Sequence, residues 1–146
     1  AWYVDQCSST VLHPMPYTPS NESLVSATRY ARSLGLQVML NAHIEVACVY
    51  DASCEPGCGG RTNIDFGGNT SAWDAWFASY TDYIRQGAQL CELAGCELMA
   101  AHIELQEIGA TLPDIGQRWE GVIRAARQLF SGKLTASVNG GPGITA

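Results

Sequence analysis

Charge is scarce in this chain: only 15% of its 146 residues are Asp, Glu, Lys or Arg, and just eight are basic. Those eight are scattered, Arg124 and Arg127 coming nearest to a cluster. A protein that tracks phosphates needs grouped cations, so nucleic acid is not an expected partner. No apolar run approaches the roughly 20 residues that span a bilayer, so no membrane partner is expected. No leader peptide is visible, and any secretory leader is expected to be gone already. The sequence also lacks a glycine-rich phosphate loop of Rossmann or Walker type, the Gly-X-Ser-X-Gly elbow of serine hydrolases and paired C-x2-C knuckles. Neither a metal nor another cofactor is therefore expected.

What is present is apolar. Hydrophobic residues make up 47% of the chain, the net charge is -6 and the pI is near 4.8. That is one domain's worth of sequence with a real core. Its most informative feature is a repeated tetrapeptide, Ala42-His43-Ile44-Glu45 and Ala101-His102-Ile103-Glu104, which each time closes an apolar run following a glycine-terminated helix. Extended side chains alternate between faces. Over 37–45, Val38, Leu40, Ala42 and Ile44 share one face, and the other ends in Asn41, His43 and Glu45. Over 97–104, Met99, Ala101 and Ile103 oppose Leu98, Ala100, His102 and Glu104. A third run sets Leu134, Ala136 and Val138 against Thr135, Ser137 and Asn139. Each segment thus offers a greasy face to helices and sends polar groups the other way, towards its C-terminal end.

Three helices fit between the runs. The first starts at the hydroxyl and proline signals Thr18-Pro19-Ser20 and stops at Gly35, with Leu24, Ala27, Ala31 and Leu34 inward. A second opens after Thr70-Ser71 and closes at Gly95, with Trp73, Phe77, Tyr80, Ile84 and Cys91 at helical spacing. The third runs from about Asp114 to Ser131, with Trp119, Val122, Ile123, Ala126 and Phe130 inward. Helices alternating with buried strands make an α/β fold of parallel strands joined by right-handed crossovers. Connections after strands are long (6–16, 46–69 and 106–113), which is the active-site side of an α/β barrel.

Six cysteines (Cys7, Cys48, Cys54, Cys58, Cys91 and Cys96) accompany two glycosylation sequons, at Asn21 and Asn69. Together they favour an oxidising, extracellular or secreted setting. Spacing does not decide how the cysteines pair. Zinc competes for the Cys48 to Cys58 loop, but the knuckle spacing of zinc sites is missing.

The phrases Ala31 to Leu40, Trp73 through Ile84, His102-Ile103-Glu104-Leu105 and Trp119 through Ala136 resemble the central part of a retaining glycoside hydrolase (β/α)8 barrel. The family they are most similar to is family 113, the β-mannanase-like enzymes. The resemblance implies a partial TIM-type barrel over 1–146, holding strands two to five of eight. It also implies that Glu104, at the end of the fourth, is the general acid/base. Where the family carries Gly-Thr before that glutamate, Ala101-His102 stands here. The nucleophile is implied on the seventh strand, outside this chain. A whole barrel takes about 250 residues, so 146 make either a portion of a longer polypeptide or a half barrel with another use.

Retaining cleavage needs two carboxyl groups about 5 to 5.5 Å apart, one attacking the sugar carbon and one carrying a proton. Glu104 fits the proton carrier if a partly apolar wall raises its pKa. Glu45 sits where the resemblance implies a substrate-contacting acid. His43 and His102 are placed to donate to sugar hydroxyls or to Glu104. Asn41 and Asn139 fit hydroxyl recognition. Tyr3 is a stacking surface, and Asp5 shares its face, whereas Trp2 shares the parity of Val4 and belongs to the core. Glu107, just past the strand, reads as loop. The expected partner is an oligosaccharide or polysaccharide with β-linkages, together with further chain segments or self-assembly to complete the sheet. The alternative is a non-catalytic extracellular structural or carbohydrate-binding protein of wall, matrix or filament, whose unpaired strand edges would demand a partner.

Overall fold

The computed structural model describes residues 2–138. In chain order they form β1 (Trp2–Val4), β2 (His13–Pro14), α1 (Asn21–Ser33), β3 (Met39–Asn41), β4 (Ile44–Val46), α2 (Thr70–Ala94), β5 (Leu98–Ile103), α3 (Ile115–Arg127) and β6 (Lys133–Ser137). The run expected as one strand over 37–45 is broken at Ala42 and His43 into β3 and β4. The ladder continues through the break, since Ala42 N–H donates to the Ala100 carbonyl at 3.3 Å and Trp2 N–H to the His43 carbonyl at 3.1 Å. β1 lies parallel to β4, β3 to β5 and β5 to β6. The parallel segments are therefore neighbours in chain order, as crossover helices on one face require. β2 folds back antiparallel on the outer edge of β1, pairing Tyr3 with His13. That pairing falls inside the stretch expected to be loop.

The central helix, α2, carries the core. Asn69 caps it by accepting from Ala72 N–H at 3.1 Å, and Gly95 ends it with a φ of 82°, a backbone that glycine adopts freely. Trp73, Phe77, Tyr80, Ile84 and Cys91 are buried along the expected stripe, and Trp76 joins them. Trp76 stacks on Tyr80 with centroids 4.9 Å apart, while Trp119 of α3 meets the edge of Phe77 at 5.3 Å. The Tyr80 hydroxyl donates to the Ala101 carbonyl at 2.7 Å, so the buried phenol is satisfied by β5 itself. Gly87 lets helix and strand approach: a methyl added there would lie 2.9 Å from Met99 Cε.

The flanking helices depart from expectation in detail. Ser20 caps α1, accepting from Ser23 N–H at 3.2 Å, so Pro19 precedes the helix instead of opening it. Its buried residue is Val25, flanked by half-buried Leu24, Thr28 and Ala31; Ala27 is exposed, and Leu34 is 61% exposed. The docked flank is thus rotated from the expected stripe, because Val25 and Thr28 face α2. α3 closes at Arg127, four residues before Ser131, although Phe130 is still buried. Along the sheet, Met39, Asn41, Lys133 and Thr135 are exposed.

Candidate active site

The long loops converge beyond the C-terminal ends of β1, β4 and β5. Glu45 lies on β4 directly across from Tyr3. Glu104 follows β5 with a left-handed φ of 56°, its N–H donating to the Ser137 carbonyl at 2.8 Å. Between these glutamates stands Arg61, from a short 3-10 turn (Arg61–Asn63) in the loop after β4. Its Nη1 donates to both oxygens of Glu45, at 3.2 and 3.3 Å, and its Nη2 donates to Glu104 Oε2. The guanidinium is 18% exposed, and the carboxylates are 17% and 27% exposed. One fork thus fixes two half-buried carboxylates, the geometry at which arginine excels. Glu104 Oε1 carries no hydrogen bond among the described residues. The wall expected beside Glu104 was apolar; its neighbour is instead the Arg61 guanidinium.

Arg61 was not anticipated, yet a signal existed: it is the sole basic residue between Val46 and Asn69. Its loop is tied down at many points. Cys7 bonds to Cys58 and Cys48 to Cys54. Gln6 donates from Nε2 to the Ser53 carbonyl and accepts at Oε1 from Glu55 N–H, at 3.1 and 3.0 Å. The Glu55 carboxylate takes the Ser8 N–H and hydroxyl at 2.8 and 2.7 Å. The sulfurs of Cys48, Cys54 and Cys58 lie within 4.8 Å of one another, but disulfides occupy all three.

The other expected residues divide. His43 joins the cluster, with Nε2 3.2 Å from Glu45 Oε1. Tyr3 shares the face of Glu45 and packs on His13 with ring centroids 4.0 Å apart. Asp5 is exposed and pairs with His13 Nε2 at 3.2 Å. Asn41 has no hydrogen bond to the carboxylates; it lines a 170 Å³ cavity with Trp2, Leu24 and Tyr83 between β3, α1 and α2. Trp2 packs against Tyr83 at 5.1 Å, on the helical side as its parity implies. Asn139 lies outside the described residues. Glu107 lines the rim between the loops after β4 and β5.

His102 requires a correction. Its ring packs on Trp119 at 5.1 Å, in the helical layer, and its Nδ1 is buried without a partner among the described residues. A bulge between Ala100 and Ile103, where the register against β6 shifts by one, reverses the alternation that placed His102 with Glu104. Tyr50, also unforeseen, has its phenol pKa raised, first by partial desolvation and then by the Glu45 carboxylate, with Tyr17 a further contributor. Both tyrosines are about two-thirds exposed, Tyr17 at 66% and Tyr50 at 64%.

Burial lowers the pKa of His102. It also lowers that of His43, where burial is the largest influence and Glu45 pulls the other way. Unfolded imidazoles titrate near about 6.5, so on acidification the unfolded chain takes up protons that the folded chain still refuses. The resulting stability is complete above about pH 6.5 and is lost as pH falls from there towards the folded pKa values. The His43 and His102 imidazole resonances should titrate below the free value, and the melting temperature should drop between neutrality and pH 5. Both imidazoles titrating at or above 6.5 would contradict this.

Consecutive parallel βα units with carboxylates gathered at the C-terminal ends of the strands define part of a TIM-type α/β barrel of the glycosidase kind. The sequence model of Glycoside Hydrolase Family 113 matches residues 1–142. The chain belongs to that family. A GH113 β-1,4-mannanase superposes with a TM-score of 0.76 at 23% identity, covering 94% of this chain and 42% of that one. A complex structure of a GH113 β-1,4-mannanase gives 0.77, also at 23% identity, with coverage of 94% and 42%. The GH113 β-mannanase AaManA from Alicyclobacillus acidocaldarius, in complex with ManMIm, gives 0.73 at 22% identity, with coverage of 96% and 42%. The chain therefore spans about two fifths of the length of the solved structures it matches. No curated protein matches it.

Proposed function

We propose that this chain is the acid/base half of a retaining β-mannan hydrolase, with Glu104 as the proton carrier and the nucleophile supplied by strands beyond residue 146. The observation that carries this reading is the state of Glu104: Oε2 is held by Arg61, while Oε1 has no hydrogen-bond partner among the described residues. In this reading Glu45 and His43 contact sugar hydroxyls, Tyr3 and Asp5 extend that contact along β1, and exposed Tyr17 and Tyr50 offer stacking surfaces. Arg61 sets the rotamer of Glu104. Full-length protein incubated with β-1,4-linked mannan should release shorter oligosaccharides whose first-formed anomer, followed by proton NMR, is β. Absence of cleavage or a first-formed α anomer would overturn the proposal, since retention requires the two-carboxylate double displacement.

We also place the protein outside the cell. Two disulfides and two exposed sequon asparagines support that reading. Asn69 caps α2 through Oδ1, and its Nδ2, the atom that bears a glycan, has no hydrogen bond among the described residues.

A further inference from the structure

Cys91 and Cys96 lie outside the disulfide-bonded loop, and both are free thiols. The way α2 ends brings them together. With Gly95 left-handed, the N–H groups of Gly95 and Cys96 both donate to the Cys91 carbonyl, at 2.8 and 2.9 Å. In this Schellman-type closure the second residue past the helix folds back onto the residue one turn inside it, and the two side chains meet. That contact is ordinarily apolar. Here it is thiol against thiol. Both border a small crevice lined by Leu24, Val25 and Thr28 of α1 and by Leu40 of β3. Neither belongs to a group of three or more metal-ligating side chains among the described residues, so a redox bond suits them better than a metal.

We propose that Cys91 and Cys96 form a third intramolecular disulfide, a staple between the end of α2 and the start of β5, made by exchange with a small-molecule disulfide such as oxidised glutathione. Half-exposed Cys96 loses its proton and attacks one glutathione sulfur; the mixed disulfide forms and one glutathione thiolate leaves. Cys91 then loses its proton and attacks the Cys96 sulfur, which breaks the mixed bond and expels the second glutathione. Two protein thiols are oxidised, and one disulfide is reduced to two thiols. Burial raises the Cys91 pKa, so the second step quickens as pH rises.

Position matters to what this bond would do. Glu97, next to Cys96, accepts Val38 N–H at 2.8 Å and Arg32 Nε at 2.9 Å. The staple would therefore lock α1, β3 and β5 at the end of the sheet opposite the carboxylates, where barrels keep stability and not chemistry.

The test uses the full chain in a glutathione redox buffer, quenched at intervals, denatured, treated with N-ethylmaleimide without reduction and digested with trypsin. Cleavage after Arg85 and Arg118 leaves both cysteines in one peptide. Oxidised, that peptide is two hydrogens lighter and carries no maleimide. The Cys91→Ala chain should hold a persistent glutathione adduct on Cys96, whereas Cys96→Ala should leave Cys91 as a thiol without adduct. Two maleimides on the peptide, in a chain whose other four cysteines are oxidised, would overturn the proposal. A bond from Cys91 or Cys96 to any of those four would do the same.

Discussion

Glu104→Gln in the full-length protein should lower turnover of β-mannan by about 10² to 10⁴, the range that a positioned proton carrier contributes. The amide keeps the shape and an acceptor for Arg61, but it has no proton to give. Glycosides with acidic aryl leaving groups depart without protonation, so on these the first step of the variant should be nearly as fast as in the parent. That contrast separates lost acid catalysis from a damaged site, which would slow both substrates alike. Unchanged turnover on mannan would remove Glu104 from the mechanism.

Replacing both Cys7 and Cys58 with serine should give the largest loss of stability. The bond joins residues 51 apart, and closing a loop of that size in the unfolded chain is worth about 4 kcal/mol by the chain-entropy estimate. The bond between Cys48 and Cys54 closes a loop of separation 6 and is worth about 2 kcal/mol on the same basis. Against a usual total of about 5–15 kcal/mol, the first loss is large. It should appear as a lower urea midpoint, accompanied by loosening of the fork between Arg61 and the two glutamates. A smaller loss than that of Cys48→Ser with Cys54→Ser would show that native strain, not loop entropy, governs this corner.

Periodicity carried much of the fold. The stripe of α2 from Trp73 to Cys91 was readable because a long helix buried on one side repeats its signal over many turns. Strand parity correctly sent Trp2 to the helices and Tyr3, Glu45 and Glu104 to the opposite face. It failed at His102, because a bulge inserts a residue without marking the sequence. The break at Ala42 and His43 was equally hidden, since alternation reads through a kink. Arg61 stayed out of view for another reason: it is far from Glu104 in sequence, and only the disulfide-bonded fold of its loop brings the charges together. Cysteine pairing depends on the same long-range geometry.

Glu104 holds a backbone conformation that suits asparagine or glycine better than a longer side chain, at a cost of about 1 kcal/mol. Selection for robustness alone would drift towards those smaller residues at this corner. Keeping a glutamate there means accepting a slightly weaker fold in exchange for a carboxylate at the rim. Thermostabilising screens run without an activity assay would therefore tend to discard the residue we propose as the proton carrier.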